Sequence, residues 1–450
     1  MNMKPPTNNT PPQGYKMTEL GALPEEWEII NLDKIIDLKR GISWRKDEAN
    51  KEGIGIPVIG IPNIKENGNI DFTDTYFLTK NIPNDKMVRI NDILFVGSSG
   101  SIKNIGRNVL IKEIQQNKFT YASFTFLGRV NPLNANTVYI FYLLNSSFVD
   151  YDKYTRRASD GKYNFQLTQF KNEQKIPLPP LPEQQKIAAV LSAVQEAKEK
   201  TEAVIATAKA LKKSMMKHLY TYGPVSPQEA ETVSLKETEI GPVPEDWEVA
   251  RLGEYCNVFS GYAFKSDDFC NNGILVVKIG NLQNGSIVFN AKESFFPREK
   301  INDDMSKFIL NEGDILIALT GATTGKISLV PKSVNGALLN QRVGKFSFYN
   351  DSLYKSFVMY YFITDEFQNH IKINIMQSAQ GNISPKQIET FPIPLPPLPE
   401  QQKIASILSA IDEKIEAEEN KKKALEELFK TLLHNLMTAK IRVNQLEVTS

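Results

Sequence analysis

The chain of 450 residues has two cysteines and three histidines, and it has no apolar run near the roughly 18 residues that a membrane-spanning helix needs. Each scarcity removes a class of protein. Cys256 and Cys270 are too few for a disulfide framework, and no Cys/His cluster has zinc-ligand spacing, so a reducing compartment is expected and a structural metal is not. His218, His370 and His434 are scattered, and nothing assembles a nucleophile, its base and an oxyanion hole. The opening MNMKPPTNNTPPQGYKM lacks the apolar core of a secretion signal. It reads as a flexible tail on a cytoplasmic protein with no membrane attachment.

Cofactor motifs fail as well. TGATTGKIS would match a phosphate-binding loop only with Gly at 320 and Ser or Thr at 327, where the chain has Thr320 and Ile327. No GxGxxG follows a strand, and the [DN]PP[FY] of amino-methyltransferases does not occur. The residues therefore predict no bound cofactor and no catalysis by this chain.

What is present is a duplication. PLPPLPEQQKIA runs from Pro177 and again, letter for letter, from Pro394; TELGALPEEWEI from Thr18 is echoed by TEIGPVPEDWEV from Thr238. Between these words the match thins to a skeleton: GIPVIGIPNI at Gly55 beside GILVVKIGNL at Gly273, and NDILFVGSSGS at Asn91 beside GDILIALTGAT at Gly313. Short β-branched runs punctuated by Gly, Asn and Pro predict several strands per body, with helical patches at Tyr139–Leu144 and Tyr354–Phe367. Trp27 and Trp247 are read as core aromatics that mark where each body starts. The net charge of +1 conceals an asymmetry, since Pro57–Lys175 holds 15 Lys/Arg against 10 Asp/Glu and Glu400–Lys430 holds 6 against 8. The excess of positive charge lies in a body, where a phosphate backbone would favour it.

The repeated word predicts a polyproline strut followed by a helix that starts near Pro182. An SH3-type ligand fits less well, because the prolines run straight into an apolar-periodic helix. In the first helix the stripe is Ile187, Val190, Val194, Ala197, Thr201, Val204, Ala208, Leu211 and Met215; in the second it is Ile404, Leu408, Ile411 and Ile415, a lapse over Glu416–Lys423, then Leu425, Leu428, Leu432 and Leu436. Two helices of about 38 residues, roughly 55 Å each, are expected to pair as a spacer, with a wet middle or docking face where the stripe lapses.

Two variable bodies, each opened by PE(E/D)WE and closed by LPPLPEQQKIA and a long helix, with GYAFKSDDF at Gly261, resemble the specificity (S) subunit of type I restriction-modification systems over Thr18–Lys440. The resemblance implies an α+β fold in which two mixed α/β target-recognition domains are each followed by a long helix. The helices would pack as an antiparallel coiled coil under a pseudo-two-fold repeat. The expected division is a tail at 1–17, a recognition domain at 18–176, strut and helix at 177–223, a linker at 224–237, a recognition domain at 238–393, strut and helix at 394–440, and a tail at 441–450. Each domain would read one half of an asymmetric bipartite site in double-stranded DNA, and the helices would set the spacing and dock two methyltransferase (M) subunits. S-adenosylmethionine would sit on those partners, and ATP with Mg on restriction (R) subunits. The copies of the word would be identical because each holds an identical partner.

Three loop sets carry the donors that base and phosphate contacts need. The first is Ser43, Trp44, Arg45 and Lys46 with Tyr262, Phe264 and Lys265. The second is Ser98, Ser99, Ser101, Lys103, Asn104 and Arg107 with Thr320, Thr323, Thr324 and Lys326. The third is Arg156, Arg157, Lys162 and Asn164 with Gln377, Gln380, Asn382 and Lys386. Two rivals remain at this point: a self-contained DNA methyltransferase or nuclease with fused recognition modules, which lacks its cofactor motif, and a coiled-coil protein scaffold that does not bind DNA, which the basic first body disfavours.

Overall fold

The computed structural model describes residues 11–65, 68–114, 118–289, 293–377 and 381–443. The chain divides into two units, Met1–Thr201 with Lys421–Ser450, and Glu202–Asn420.

In the first unit, one antiparallel sheet has the order Asn108–Leu110, Asp92–Val96, Thr125–Val130, Ile36–Arg40. A second sheet pairs Thr120–Tyr121 in parallel with Ile56–Ile59, followed by Tyr76–Leu78 and Ala49–Asn50. The run DILFV is buried throughout, as a central strand covered on both faces should be. Its one carboxylate, Asp92, is tolerated there because Arg129 meets it at 2.7 Å. The second unit repeats this plan with Ile327–Leu329, Ile315–Ala318, Val343–Phe348 and Cys256–Ser260, and again sets Ile274–Val277 parallel to Leu338–Leu339. Cys256 lies in this core, where burial pushes its thiol up to about 12.

The short helices Thr137–Leu144 and Lys355–Phe362 bury most of their side chains, and a separate helix, Asp365–Gln377, follows the latter. The expected tail and the expected linker both contain regular structure among the described residues. Tyr15–Thr18, which overlaps the end of the presumed tail, forms a hairpin with Gly21–Pro24. The presumed linker contains the helix Pro227–Ala230 and the start of the matching hairpin, Leu235–Thr238 with Gly241–Pro244.

The strut is not polyproline II. Lys175–Leu178 and Pro392–Leu395 are strands, paired antiparallel with Glu28–Asn31 and Glu248–Arg251. Proline is admissible there because each is a two-stranded sheet with an outer edge that needs no donor. The repeated words thus bind one another: the indole Nε1 of Trp27 donates to Glu183 at 3.0 Å, and that of Trp247 to Glu400 at 3.0 Å. Gln184 accepts from the Asn136 amide at 2.9 Å and donates to the Pro179 carbonyl at 2.8 Å; Gln401 does the same with Tyr354 at 2.7 Å and Pro396 at 2.9 Å.

The long helices span Leu181–Tyr222 and Leu398–Met437. The first half of the former packs on the last half of the latter in the first unit, and the remaining halves pack in the second, antiparallel in each. The seam differs from the stripe read in the sequence. Val204, Leu211 and Leu428 are exposed. Buried or half-buried along the seam are Ile187, Leu191, Val194, Lys198, Thr201, Ile205, Ala208 and Lys212, then Met215 and Met216, and on the other helix Ile404, Leu408, Ile411, Ile415, Glu418, Lys422, Leu425, Phe429, Leu432 and Leu436; Val190 and Ala197 of the expected stripe are half-buried as well. The repeat stays heptad, and it departs from the expected stripe at Val204, Leu211 and Leu428, where the next residue is the more buried one. The reason is charge pairing. Lys212 reaches Asp412 at 2.6 Å, and Lys198 lies 3.8 Å from Glu426, so both occupy seam positions that a hydrophobic criterion skips. The expected lapse is likewise a polar stretch of seam: Glu418 is 8% exposed and takes Lys414 at 2.6 Å.

Beyond the second long helix, Arg442 holds Glu183 at 2.8 Å and Glu26 at 2.6 Å. The hydrogen bond from Arg442 holds the Glu26 carboxyl below its ordinary value of 4.5. Arg442→Met should cost about 2 kcal/mol at neutral pH, mostly by leaving the partly buried Glu183 without its cation. Because Glu26 has a depressed folded value, its share is complete above 4.5 and is lost as pH falls through the folded value. Urea unfolding of both proteins should therefore show their difference narrowing in acid; a difference that widens in acid contradicts the assignment.

Candidate nucleic-acid interface

The first loop leaves its sheet at a glycine in both units. A Cβ on Gly41 would stand 2.1 Å from the Ala122 carbonyl oxygen, and one on Gly261 would stand 2.2 Å from that of Leu339. Only glycine allows this backbone approach. The next amides, Ile42 and Tyr262, donate to Tyr121 at 2.9 Å and Leu339 at 2.8 Å. Each loop then makes a 3-10 turn, Lys46–Glu48 or Ser266–Asp268, whose last carboxylate accepts from the Arg45 or Lys265 amide. Trp44 therefore occupies the place of Phe264, and Arg45 that of Lys265. Ser43, Arg45, Lys46 and Lys265 are exposed, and Trp44 is half-buried against Tyr76. Phe264 must be withdrawn from the DNA-contacting set: it is 8% exposed, packed with Val276, Phe296, Met305 and Leu338. Tyr262 is half-buried beside it, 5.0 Å between ring centres.

In the first unit the second and third loops form one piece of structure. Ser98–Ser99, Tyr163–Phe165 and Thr155–Arg157 make a three-stranded sheet with Asn164 between Ser98 and Arg156. Ser98 is buried in it and is also withdrawn. Ser101, Lys103, Arg156, Arg157 and Lys162 are exposed; Ser99, Asn104, Arg107 and Asn164 are half-buried. Asn104 donates to the Ser99 hydroxyl at 3.1 Å and accepts from Arg107, which also reaches the Ile64 carbonyl at 3.2 Å, so these side chains shape the loop. Arg156 is steadied by the Lys153 carbonyl at 2.9 Å, and Arg157 lies 6.0 Å from the centre of the Tyr163 ring.

In the second unit the second loop is shorter, and its hydroxyls turn inward. Thr323 donates to the Ile279 carbonyl at 3.3 Å, Thr324 to that of Gly321 at 2.6 Å, and the Thr320 hydroxyl is buried. Lys326 occupies the position of Arg107 and is held by Gln283 at 2.8 Å. Asn382 stands where Asn164 does, since the next amides, Ile383 and Phe165, donate to Leu319 and Gly97. Gln377 ends a helix, and Gln380 lies outside the described residues. Lys386 pairs with Glu389 at 2.7 Å, and Glu389 also accepts from the Val258 amide in the middle of a sheet strand. Lys386 is itself exposed, with its ammonium held by a glutamate that anchors to the sheet.

Sequence reasoning passed over one element. A tight turn, Ala122–Thr125 in the first unit and Asn340–Val343 in the second, stands between the first and second loops. Phe124, Gln341 and Arg342 are exposed on it. The letters NQR ahead of a strand were the available signal, and only backbone pairing shows where they stand.

Exposed cations on a hydrogen-bonded ribbon suit phosphates, and a buried ring does not. Replacing Arg156 and Arg157 together with Ala should weaken binding to every duplex and lower the salt slope by about 2, read from titrations at several ionic strengths. Phe264→Ala should instead cost about 3 kcal/mol of stability. An unchanged slope, or a stable Phe264 variant with altered sequence preference, would reverse these assignments.

Known proteins resemble this chain over most of its length. A family model described as the type I restriction modification DNA specificity domain matches residues 24–209 and again 244–427. The type I restriction enzyme MjaVIII specificity subunit of Methanocaldococcus jannaschii is 30% identical over 445 residues, covering 94% of this chain and 95% of the relative. The putative MjaX specificity subunit of the same organism is 30% identical over 449 residues, covering 96% and 97%. Among solved structures, the type I restriction-modification S subunit from M. genitalium shares the fold with a TM-score of 0.59 at 18% identity, covering 91% of this chain and 96% of that one. Matched twice by the family model and aligned nearly end to end with such relatives, the chain belongs to the type I restriction-modification DNA specificity family and is a specificity subunit with two target-recognition domains.

Proposed function

We propose that each unit reads its own half of a bipartite, asymmetric DNA site, that the long helices set the gap between the halves, and that two copies of one methyltransferase subunit dock on the chain. The observation that carries this reading is one backbone plan used twice under unlike loops: a three-stranded ribbon at Ser98, Arg156 and Asn164 in the first unit, and the helix Asp365–Gln377 with an inward-turned threonine loop in the second. A shared scaffold with different donors is what two different half-sites require.

Part of the repeated word is explained by internal packing, since Gln184, Ile187, Ala188 and their counterparts are buried. Pro180, Pro182, Gln185 and Lys186 are exposed, as are Pro397, Pro399, Gln402 and Lys403. Packing within the unit gives no reason for these letters to match, and two equal partners give one. The chain itself is non-catalytic in this reading, acts in the cytoplasm, and leaves S-adenosylmethionine to the methyltransferase subunits and ATP with Mg to restriction subunits. Methyl transfer by the purified chain alone would overturn that division.

Mapping N6-methyladenine in DNA exposed to the chain and its methyltransferase partner tests the rest. Exchanging Pro57–Lys175 for the corresponding segment of another family member should change one half of the site and leave the other. Inserting one heptad after Thr201 and another after Asn420 keeps the seam in phase and lengthens each helix by about 10 Å, near three base pairs at roughly 3.4 Å each. The expected site keeps both halves and gains about three base pairs of gap. An active variant with an unchanged gap would show that the helices are not the ruler.

A further inference from the structure

The tight turn between the first and second loops is built the same way in both units. The Thr125 amide donates to Ala122 at 2.8 Å, and the Val343 amide to Asn340 at 2.9 Å. From one side, the first-loop glycine donates to the turn: Gly41 to Thr125 and Gly261 to Val343, both at 3.1 Å. From the other side, the second loop does the same, with Gly97 to Phe124 at 2.8 Å and Leu319 to Arg342 at 3.0 Å. Every one of these bonds is backbone to backbone. The two central side chains are left with no part in holding the turn, and they differ: Ser123 and Phe124 in one unit, Gln341 and Arg342 in the other.

We infer that this turn is a base-reading tip, and that in the second unit Arg342 reads a guanine. The inference rests on the two-reader model above and adds the residue and base class. Arg342 is exposed, and among the described residues no side-chain hydrogen bond or ion pair engages its guanidinium. Lys326 and Lys345 nearby are already committed, to Gln283 at 2.8 Å and Asp314 at 2.5 Å. A guanidinium on a rigid backbone can donate two parallel bonds to O6 and N7 of guanine, a geometry that an ammonium or an amide does not reproduce. In the first unit the same position presents Phe124, 58% exposed. Phe124 has no donor, and it suits the methyl group of thymine. The turn thus reads a G·C pair in one half-site and an A·T pair in the other.

The test uses the full chain assembled with its methyltransferase partner. R342Q and, separately, F124S are assayed on a library randomised over both half-sites, with thermal unfolding as a control. R342Q should relax preference at one G·C position of the second unit's half-site by about ten- to a hundred-fold, leaving the other positions, the other half-site and the melting temperature unchanged. F124S should do the corresponding thing at one A·T position of the other half-site. A uniform loss on all sequences with a shallower salt slope would make Arg342 a phosphate contact and overturn the inference, as would no change at all. The exchange of Pro57–Lys175 separates the two levels: if it moves one half-site while R342Q moves none, the turn assignment fails and the two-reader model stands. If neither does, both fail.

Discussion

The hydrogen bond from a buried tryptophan to a glutamate at the start of a long helix is the constraint on which each half of the molecule depends. Trp27 and Trp247 are fully buried, and an indole N–H in that position needs an acceptor. Glu183 and Glu400 provide it from the first turn of the long helices, where a carboxylate also meets the positive end of the helix dipole. Each bond ties the first strand pair of a recognition domain to the helix that leaves it. The glutamines that follow tie the same turn to the short buried helices. Two words far apart in the chain are thus one fastening, which is why the letters inside it cannot drift. The fastenings differ in one respect: Glu183 is also held by Arg442, whereas Ser226, which follows the first long helix, caps the short helix Pro227–Ala230.

The seam of the long helices follows a second constraint, that of register. A stripe of leucine and isoleucine alone would tolerate sliding by a heptad, because each turn would look like the next. Lys212 with Asp412 and Tyr360, Lys209 with Glu419 and Lys198 with Glu426 are all satisfied together only in the observed alignment. Isolated exposed pairs of this kind add little stability. Their effect here is to make the misaligned alternatives worse, since a heptad slide in either direction sets one half-buried lysine, Lys198 or Lys212, opposite Leu433 or Ala405. For the proposed role of the helices as a spacer, a single length matters more than extra stability.

The sequence made the duplication, the strand-rich bodies and the long helices legible, because repeats and periods survive without any knowledge of contacts. It misplaced the seam where two apolar residues adjoin, as at Val204–Ile205 and Leu428–Phe429, because either fits a three-four spacing and the deciding partners are charged. It read the proline strut as free-standing because backbone pairing with Glu28–Asn31 is a long-range fact. Among loop residues, Arg156, Arg157 and Lys103 stand out in the open as polarity suggests, whereas Phe264 and Ser98 do not. An aromatic in a loop motif and a serine beside glycine look equally suited to a surface or to a core until their neighbours are known.

The candidate recognition surface shows why such neighbours are hard to infer from sequence. Its architecture is written in backbone bonds and in two glycines, Gly41 and Gly261, whose missing Cβ atoms let one loop lie against another chain segment. Backbone bonds do not specify a side chain, so the positions that face outward are free of structural duty. Where side chains do help to hold a loop, as Asn104 and Arg107 do in the first unit, replacing them would disturb the loop together with any contact it makes. A reader that must acquire new target sequences without losing its fold gains from keeping those two duties on different atoms, and the tight turns at Ala122–Thr125 and Asn340–Val343 are where the separation is most complete.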